Sequence, residues 1–287
     1  MQSNKWQVIM RSYSILLLCF VLGNALSSRV TVKNCGKSPT VTGRIVGGKK
    51  AQEGAFPWIV TLHEKSDSNF DHVCGGSILN KRWILTAAHC IDHPDNTQMY
   101  EIYVGLHSLS RKSAKRARKH KISKIIIHES YDKAEYEYDI ALLRTADTID
   151  FGGSEGFVNG VCLPKMNAPE PSDEYGLVAG WGHTYEDGEN SDVLRVVHVP
   201  IIGRDLCNTV YDDTITKTML CAGASNRDSC QNDSGGPLVV WRRRKPAVLV
   251  GIVSHGRGCG EKYYPGIYTK VSSFVDWIEN TIESDSS

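Results

Sequence analysis

The sequence predicts an all-β protein, a barrel or a sandwich. Short apolar runs separated by turn residues recur along most of the chain, a helical period appears only at the C-terminal end, and cysteines are frequent in a chain that begins like an exported one. A length of 287 residues suits one large domain or two small ones. The formal net charge of +1 gives the molecule no overall bias toward nucleic acid. No nucleic-acid partner is therefore expected, and electrostatic partners must be sought in local clusters.

In chain order, Lys5 and Arg11 make a basic start, Ile15 to Leu22 is an apolar run, and Gly23-Asn24-Ala25 offers small residues for cleavage. This predicts a signal peptide over 1–25, cut after Ala25. An uncleaved signal anchor is the alternative. However, the uncharged stretch Ser12 to Ser28 is seventeen residues long and rich in Ser, Asn and Gly, whereas a span needs about 20 mostly apolar residues. Residues 26–44, polar and aperiodic, read as a pro-segment. From Ile45 onward come the strand-like runs, among them Trp58 to Leu62, Trp83 to Leu85, Lys124 to Ile127, Ile140 to Leu143, Leu177 to Ala179, Leu238 to Trp241 and Val248 to Val253. Gly47-Gly48, Asp187-Gly188 and Gly256 punctuate them. Ser272 to Ile282 reads as a helix, with Phe274, Val275, Ile278 and Ile282 at helical spacing. Of nine cysteines, Cys19 lies in the signal segment. The remaining even number implies disulfides in an exported chain. No CxxC pair occurs, so a metal site is not expected.

Three segments carry chemistry: Thr86-Ala-Ala-His89-Cys90, Tyr138-Asp139-Ile-Ala-Leu-Leu143, and Asp228-Ser-Cys-Gln-Asn-Asp-Ser234-Gly-Gly-Pro237. Acyl transfer needs a nucleophile, a base titrating near neutrality, and a group that orients the base. Ser234, His89 and Asp139 supply these types in the order His, Asp, Ser. Taken singly each has a plainer reading: a packed histidine beside a disulfide, a strand-end Tyr-Asp pair, a glycine-rich loop. Their joint occurrence with these flanks favours catalysis.

From Ile45 to the C-terminus the chain resembles the chymotrypsin family, trypsin subgroup. Arg44-Ile-Val-Gly-Gly48 matches the activation junction. Cys74-Gly-Gly-Ser77, Cys162-Leu-Pro164, Gly180-Trp-Gly182, Ser254-His-Gly256 and Pro265-Gly-Ile-Tyr268 fall in the family's order. The resemblance implies a protease domain over 45–287 made of two six-stranded antiparallel barrels with a C-terminal helix. It implies a secreted serine endopeptidase made as a zymogen, acting on protein or peptide substrates and needing no cofactor. Cleavage after Arg44 would free the Ile45 amine to pair with Asp233. Asp228 would form the base of a pocket for Arg or Lys, with Ser229 assisting and Gly256 and Gly266 leaving its walls open. The backbone N–H groups of Asn232 and Ser234 would form the oxyanion hole. Disulfides would join Cys74–Cys90, Cys207–Cys221, Cys230–Cys259 and Cys35–Cys162, the last tethering the pro-segment after cleavage. An activating trypsin-like protease and protein protease inhibitors are the implied partners. Within the family, the tethered pro-segment and basic loops look similar to acrosin and to testis-type transmembrane serine proteases.

Three positions depart from the family pattern. Asn232 stands where glycine is usual, His255 where tryptophan is usual, and Leu106 where calcium-binding members carry a carboxylate, so calcium is not expected. Arg111 to Lys124 holds eight Lys or Arg and no acid, and Arg242-Arg-Arg-Lys245 forms a second cluster. Such runs are usually solvated surface, but this density makes a polyanion or an acidic protein a candidate partner. A non-catalytic homologue kept as a binding module, and a basic binding protein with incidental protease activity, are the competing readings. Asn232 alone favours the former.

Overall fold

The computed structural model describes residues 30–40, 49–111, 115–184, 188–225 and 229–285. The expected signal peptide, the Arg44–Ile45 junction and Asp228 lie outside the described residues. A two-residue strand β1 (Lys49–Lys50) precedes the first barrel. That barrel is formed by β2 (Ile59–Ser66), β3 (Asn69–Ile78), β4 (Trp83–Thr86), β5 (Tyr100–Val104), β6 (Arg118–Ile127) and β7 (Ala141–Thr145). It closes in the order β2-β3-β4-β7-β6-β5. Then β8 (Tyr175–Gly180), β9 (Arg195–Ile202), β10 (Met219–Ala222), β11 (Pro237–Val240), β12 (Val248–His255) and β13 (Gly266–Lys270) form the second. Its ring β8-β9-β10-β13-β12-β11 closes through β11 on β8, and β1 adds to β9 at the rim. Both barrels are antiparallel throughout, and the fold is chymotrypsin-like.

The apolar runs are the strands because a barrel interior must be filled with side chains. Every residue of β4 and β5 is buried. In β6 the period of two is plain: His120 and Ile122 face inward while Lys119, Lys121 and Ser123 are exposed. Half of the basic run is thus strand, its charges carried on one outer face.

The C-terminal helix runs over Val275–Ser284 and starts three residues later than the periodicity suggests. Val271–Ser273 is a separate 3₁₀ turn held by its neighbours: Ser272 Oγ donates to Ala168 O, and Asn167 N donates to Ser272 O. A five-residue helix, Arg204–Asn208, has no sequence signal because it is too short to show a period. It is held instead by the Cys207–Cys221 bridge.

All four disulfides pair as the resemblance implied. Cys35–Cys162 anchors the stretch 30–40, which is docked rather than loose. Val30 is buried, Asn80 Nδ2 donates to Val30 O, Asn159 Nδ2 donates to Asn34 O, and Gly36 exchanges backbone bonds with Gly160 and Ala247.

The barrels meet where two backbones touch. A Cβ on Gly75 would stand 2.9 Å from the Cα of Gly236. This close approach lets Gly75 N donate to Ser234 O at 2.7 Å, so the first barrel holds the peptide of the candidate nucleophile on the second. Gly75→Ala is expected to push the barrels apart. We expect a stability loss of about 1–3 kcal/mol in urea unfolding, and a fall in kcat of about 100-fold, the order that a displacement of reacting groups by an ångström produces. An unchanged kcat would refute this account of the interface.

Candidate active site

His89 sits on a 3₁₀ turn, Ala88–Cys90, just beyond β4, and Cys74–Cys90 ties that turn to β3. Asp139 lies just ahead of β7 and is completely buried. Its Oδ1 accepts the backbone N–H of His89 at 2.9 Å, and its Oδ2 meets His89 Nδ1 at 2.7 Å. Ser254 on β12 donates its hydroxyl to the same Oδ2 at 2.6 Å, and Thr269 on β13 donates to the Asp139 carbonyl at 2.7 Å. Burial alone would push the Asp139 carboxyl up. The hydrogen bond and charge of His89, with the Ser254 hydroxyl, outweigh it and hold the group below the ordinary aspartate value.

This arrangement fixes the tautomer of His89. An ionised carboxylate only accepts, so the ring hydrogen must be on Nδ1. The lone pair is then on Nε2, the nitrogen that a base presents to a hydroxyl.

Ser234 lies in the turn before β11. Asn232 adopts a left-handed φ of +67° and Gly235 of +75°. The peptides around Asn232 are clamped: Gln231 O accepts His183 N at 2.9 Å, and Asn232 O accepts His72 Nε2 at 3.2 Å. The Asn232 side chain donates to Asn190 Oδ1 at 2.8 Å. Among the described residues, neither the Asn232 N–H nor the Ser234 N–H has an acceptor. Two backbone donors left open on the turn that carries the serine suit an oxyanion.

Asp233 is the second unusual carboxylate. It fits only because its neighbours are glycines: a Cβ on Gly180 would stand 2.0 Å from its Oδ1. It accepts Gly182 N at 2.8 Å and Cys230 N at 3.1 Å. Desolvation nonetheless dominates, and its pKa is pushed up to about 6.

Ser229 and the two glycines of the expected pocket are brought together. Ser229 Oγ lies 3.2 Å from Tyr268 Oη, and a Cβ on Gly256 would approach the Cα of Gly266 at 3.6 Å. Any larger side chain there would fill the slot. Sequence reasoning missed Tyr136, which stacks on His255 at 4.6 Å and meets His89 edge-on at 5.6 Å. Burial lowers the His255 pKa, partly countered by the charge of Asp139, so this ring is neutral and joins Tyr136 as a wall of the cleft. No spacing marks Tyr136, and its left-handed φ of +53° comes from the loop. Cys74, His89 and Cys90 also cluster, but the two sulfurs are bonded to each other and offer no thiolate to a metal.

Two closed barrels with a His–Asp pair in the cleft and a serine turn beside it are the architecture of a chymotrypsin-like serine endopeptidase. Residues 45–278 match the family model for trypsin, and the chain belongs to that family; it is a serine endopeptidase. It is 41% identical over 246 residues to U21-ctenitoxin-Pn1a of Phoneutria nigriventer, covering 83% of this chain and all of that protein. It is 41% identical over 248 residues to the venom peptide isomerase heavy chain of Agelenopsis aperta, again covering 83% of this chain and all of the relative. Human transmembrane protease serine 5 is 38% identical over 276 residues, 91% of this chain and 56% of that protein.

Asp139→Asn is expected to leave the fold intact and lower kcat by about four orders of magnitude, the loss caused by the wrong histidine tautomer in a trypsin-type triad. Steady-state kinetics on a small peptide check it; a loss under tenfold would refute the orienting role.

Proposed function

We propose that the chain is a secreted zymogen whose activated form hydrolyses peptide bonds after arginine or lysine through Ser234, His89 and Asp139. The observation that carries this reading is the fully satisfied Asp139 carboxylate, which leaves His89 Nε2 as a base while the N–H groups of Asn232 and Ser234 stay open. In this mechanism Ser234 Oγ attacks the substrate carbonyl carbon as His89 Nε2 takes its proton. The carbonyl oxygen becomes an oxyanion held by the two N–H groups. The imidazolium, stabilised by Asp139, then protonates the leaving amine, and an acyl-enzyme remains on Ser234. Water deprotonated by His89 attacks that ester and releases the acid, restoring the serine.

Activation follows from the state of Asp233. Two N–H donors leave a half-buried, desolvated carboxylate short of compensation, and an ammonium group would supply it. Cleavage after Arg44 frees such a group on Ile45. For specificity, the family resemblance implies that Asp228, outside the described residues, forms the base of a pocket walled by Gly256 and Gly266, where a long cationic side chain would neutralise the carboxylate. The four disulfides and the basic-apolar N-terminus support export, with an uncleaved anchor over the same residues as the alternative. No helix among the described residues is long and apolar enough to cross a membrane. Substrates are proteins or peptides, and an activating trypsin-like protease and protein inhibitors of the cleft are the other partners. Likeness to a protein named a venom peptide isomerase heavy chain raises a second reading, isomerisation of a peptide without cleavage.

Trypsin treatment of the purified zymogen is expected to give an enzyme that cuts a peptide library after Arg and Lys. Arg44→Gln stays inactive under the same treatment, and Asp228→Ser loses about 2–5 kcal/mol in kcat/KM on Arg substrates. Mass spectrometry of the products separates the readings: hydrolysis adds one water across the cut bond, and isomerisation leaves the mass unchanged. Preferred cleavage after Phe or Leu, or full activity of Arg44→Gln, would overturn the proposal.

A further inference from the structure

The basic run Arg111 to Lys124 is less available than its composition suggests. Arg116 pairs with Glu53 and Glu155 and covers the Phe157 ring, and Lys119 pairs with Glu101. Lys124 and its cross-strand neighbour Arg144 both bind Asp285. Further uncompensated charge lies outside this run. Behind the first barrel a groove of about 900 Å³ runs between the docked stretch 30–40, the start of β4 and the end of the C-terminal helix. Lys33, Lys81, Arg82 and Arg144 line it, and Asp285, already shared by two cations, is the one acid in its lining. Lys33 and Lys81 are exposed and form no ion pair among the described residues. The Arg82 guanidinium uses Nη1 on the carbonyls of Thr145 and Ala146. Ala146 N in turn donates to Lys121 O, so the Arg82 edge of the groove is tied to the outer face of β6, where Lys121 stands exposed and forms no ion pair among the described residues.

We propose that this groove, together with Lys121, binds a sulfated polysaccharide. The ligand class follows from the lining. The cations come from three separate segments of the lining, Lys33, Lys81 with Arg82, and Arg144, which suits repeated anionic groups on a linear chain. Trp83 is buried and Phe151 is partly buried against the core, so neither aromatic of the lining is a free platform for stacking a nucleobase. The groove is edged by charge, which does not suit an apolar peptide. None of its lining residues belongs to the cleft of His89 and Ser234, so a bound polysaccharide leaves that cleft open. Lys33 comes from the pro-segment, and Cys35–Cys162 keeps it in place after cleavage at Arg44. The site is therefore complete in zymogen and activated enzyme alike, and the chain can be held on a matrix before and after activation.

The test uses the full zymogen and heparin, measured by titration calorimetry over a series of salt concentrations, and does not depend on catalysis. Lys33→Ala with Lys81→Ala is expected to weaken heparin binding about tenfold at physiological salt. It is also expected to flatten the slope of log affinity against log salt by about two, because each lost cation releases one fewer counterion. Lys115→Ala with Arg118→Ala, on the neighbouring loop and strand start, changes affinity less than about twofold if the groove is the site. Hyaluronan, which carries carboxylates but no sulfate, binds more weakly than heparin. Thermal melts of both double variants establish that each is folded, and Lys33→Glu supplies a second groove variant. Unchanged affinity and slope in the groove variants would overturn the proposal. So would abolition of binding by the loop pair alone, or hyaluronan binding as tight as heparin.

Discussion

The buried carboxylate of Asp139 is the constraint on which the rest depends. A charge removed from water costs several kcal/mol unless its lone pairs are satisfied. Here the donors come from both halves of the molecule: His89 from the first barrel and Ser254 from β12 of the second, while Thr269 on β13 holds the Asp139 backbone carbonyl. The same bonds that make the charge tolerable therefore set the register between the barrels and orient the histidine. Stability and chemistry cannot be separated at this residue. A variant that removes a donor both exposes a cost in the interface and loosens the base.

Asp233 has the opposite balance, and the pair together set the serine turn apart from the histidine site. The Asp139 pKa is depressed, so its contribution to stability is present above the ordinary carboxylate value and is lost as pH falls through its lower folded value. The Asp233 pKa is raised from 3.8 to about 6. Its favourable contribution belongs to the protonated form, is complete below the ordinary value, and is lost as pH rises through about 6. At neutral pH the Asp139 site is self-sufficient, whereas the Asp233 site holds a charge that two N–H groups do not fully compensate. An incoming ammonium changes the energy of the second without disturbing the first. Under the proposed activation, that asymmetry would let one proteolytic cut act on the serine turn alone, since Asp233 directly precedes Ser234.

Much of this was legible in the sequence, for reasons that differ by feature. His89, Asp139 and Ser234 were legible because chemistry fixes residue type and the flanking segments fix context. The barrels were legible because interior-facing strands in β4 and β5 are continuously buried and so read as apolar runs. The helix boundary at Val275 was not, because Ser272 is held by contacts with residues 167–168, more than a hundred positions earlier in the chain. Tyr136, Thr269 and Asn190 carry no local signal for the same reason: each matters through a partner distant in sequence. The basic run misled through composition. Counting charges treats Lys119 and Lys124 as free, whereas Lys119 pairs with Glu101 on β5 and Lys124 with Asp285 at the end of the C-terminal helix.

Asn232 shows how local geometry decides between two readings of the same letters. Asn232-Asp233-Ser234 spells an N-glycosylation acceptor and also spells the segment that ends on the candidate nucleophile. A left-handed φ of +67° costs an ordinary residue about 1–2 kcal/mol, and Asn among the least. That cost is offset by what the conformation permits: His72 holds the Asn232 carbonyl, and the side-chain nitrogen donates to Asn190. A glycan would be attached at that same nitrogen, so it would displace the bond to Asn190 and stand over the open N–H groups of the turn. The residue can serve the serine turn or carry a sugar, and the hydrogen bonds on both its side chain and its backbone commit it to the turn.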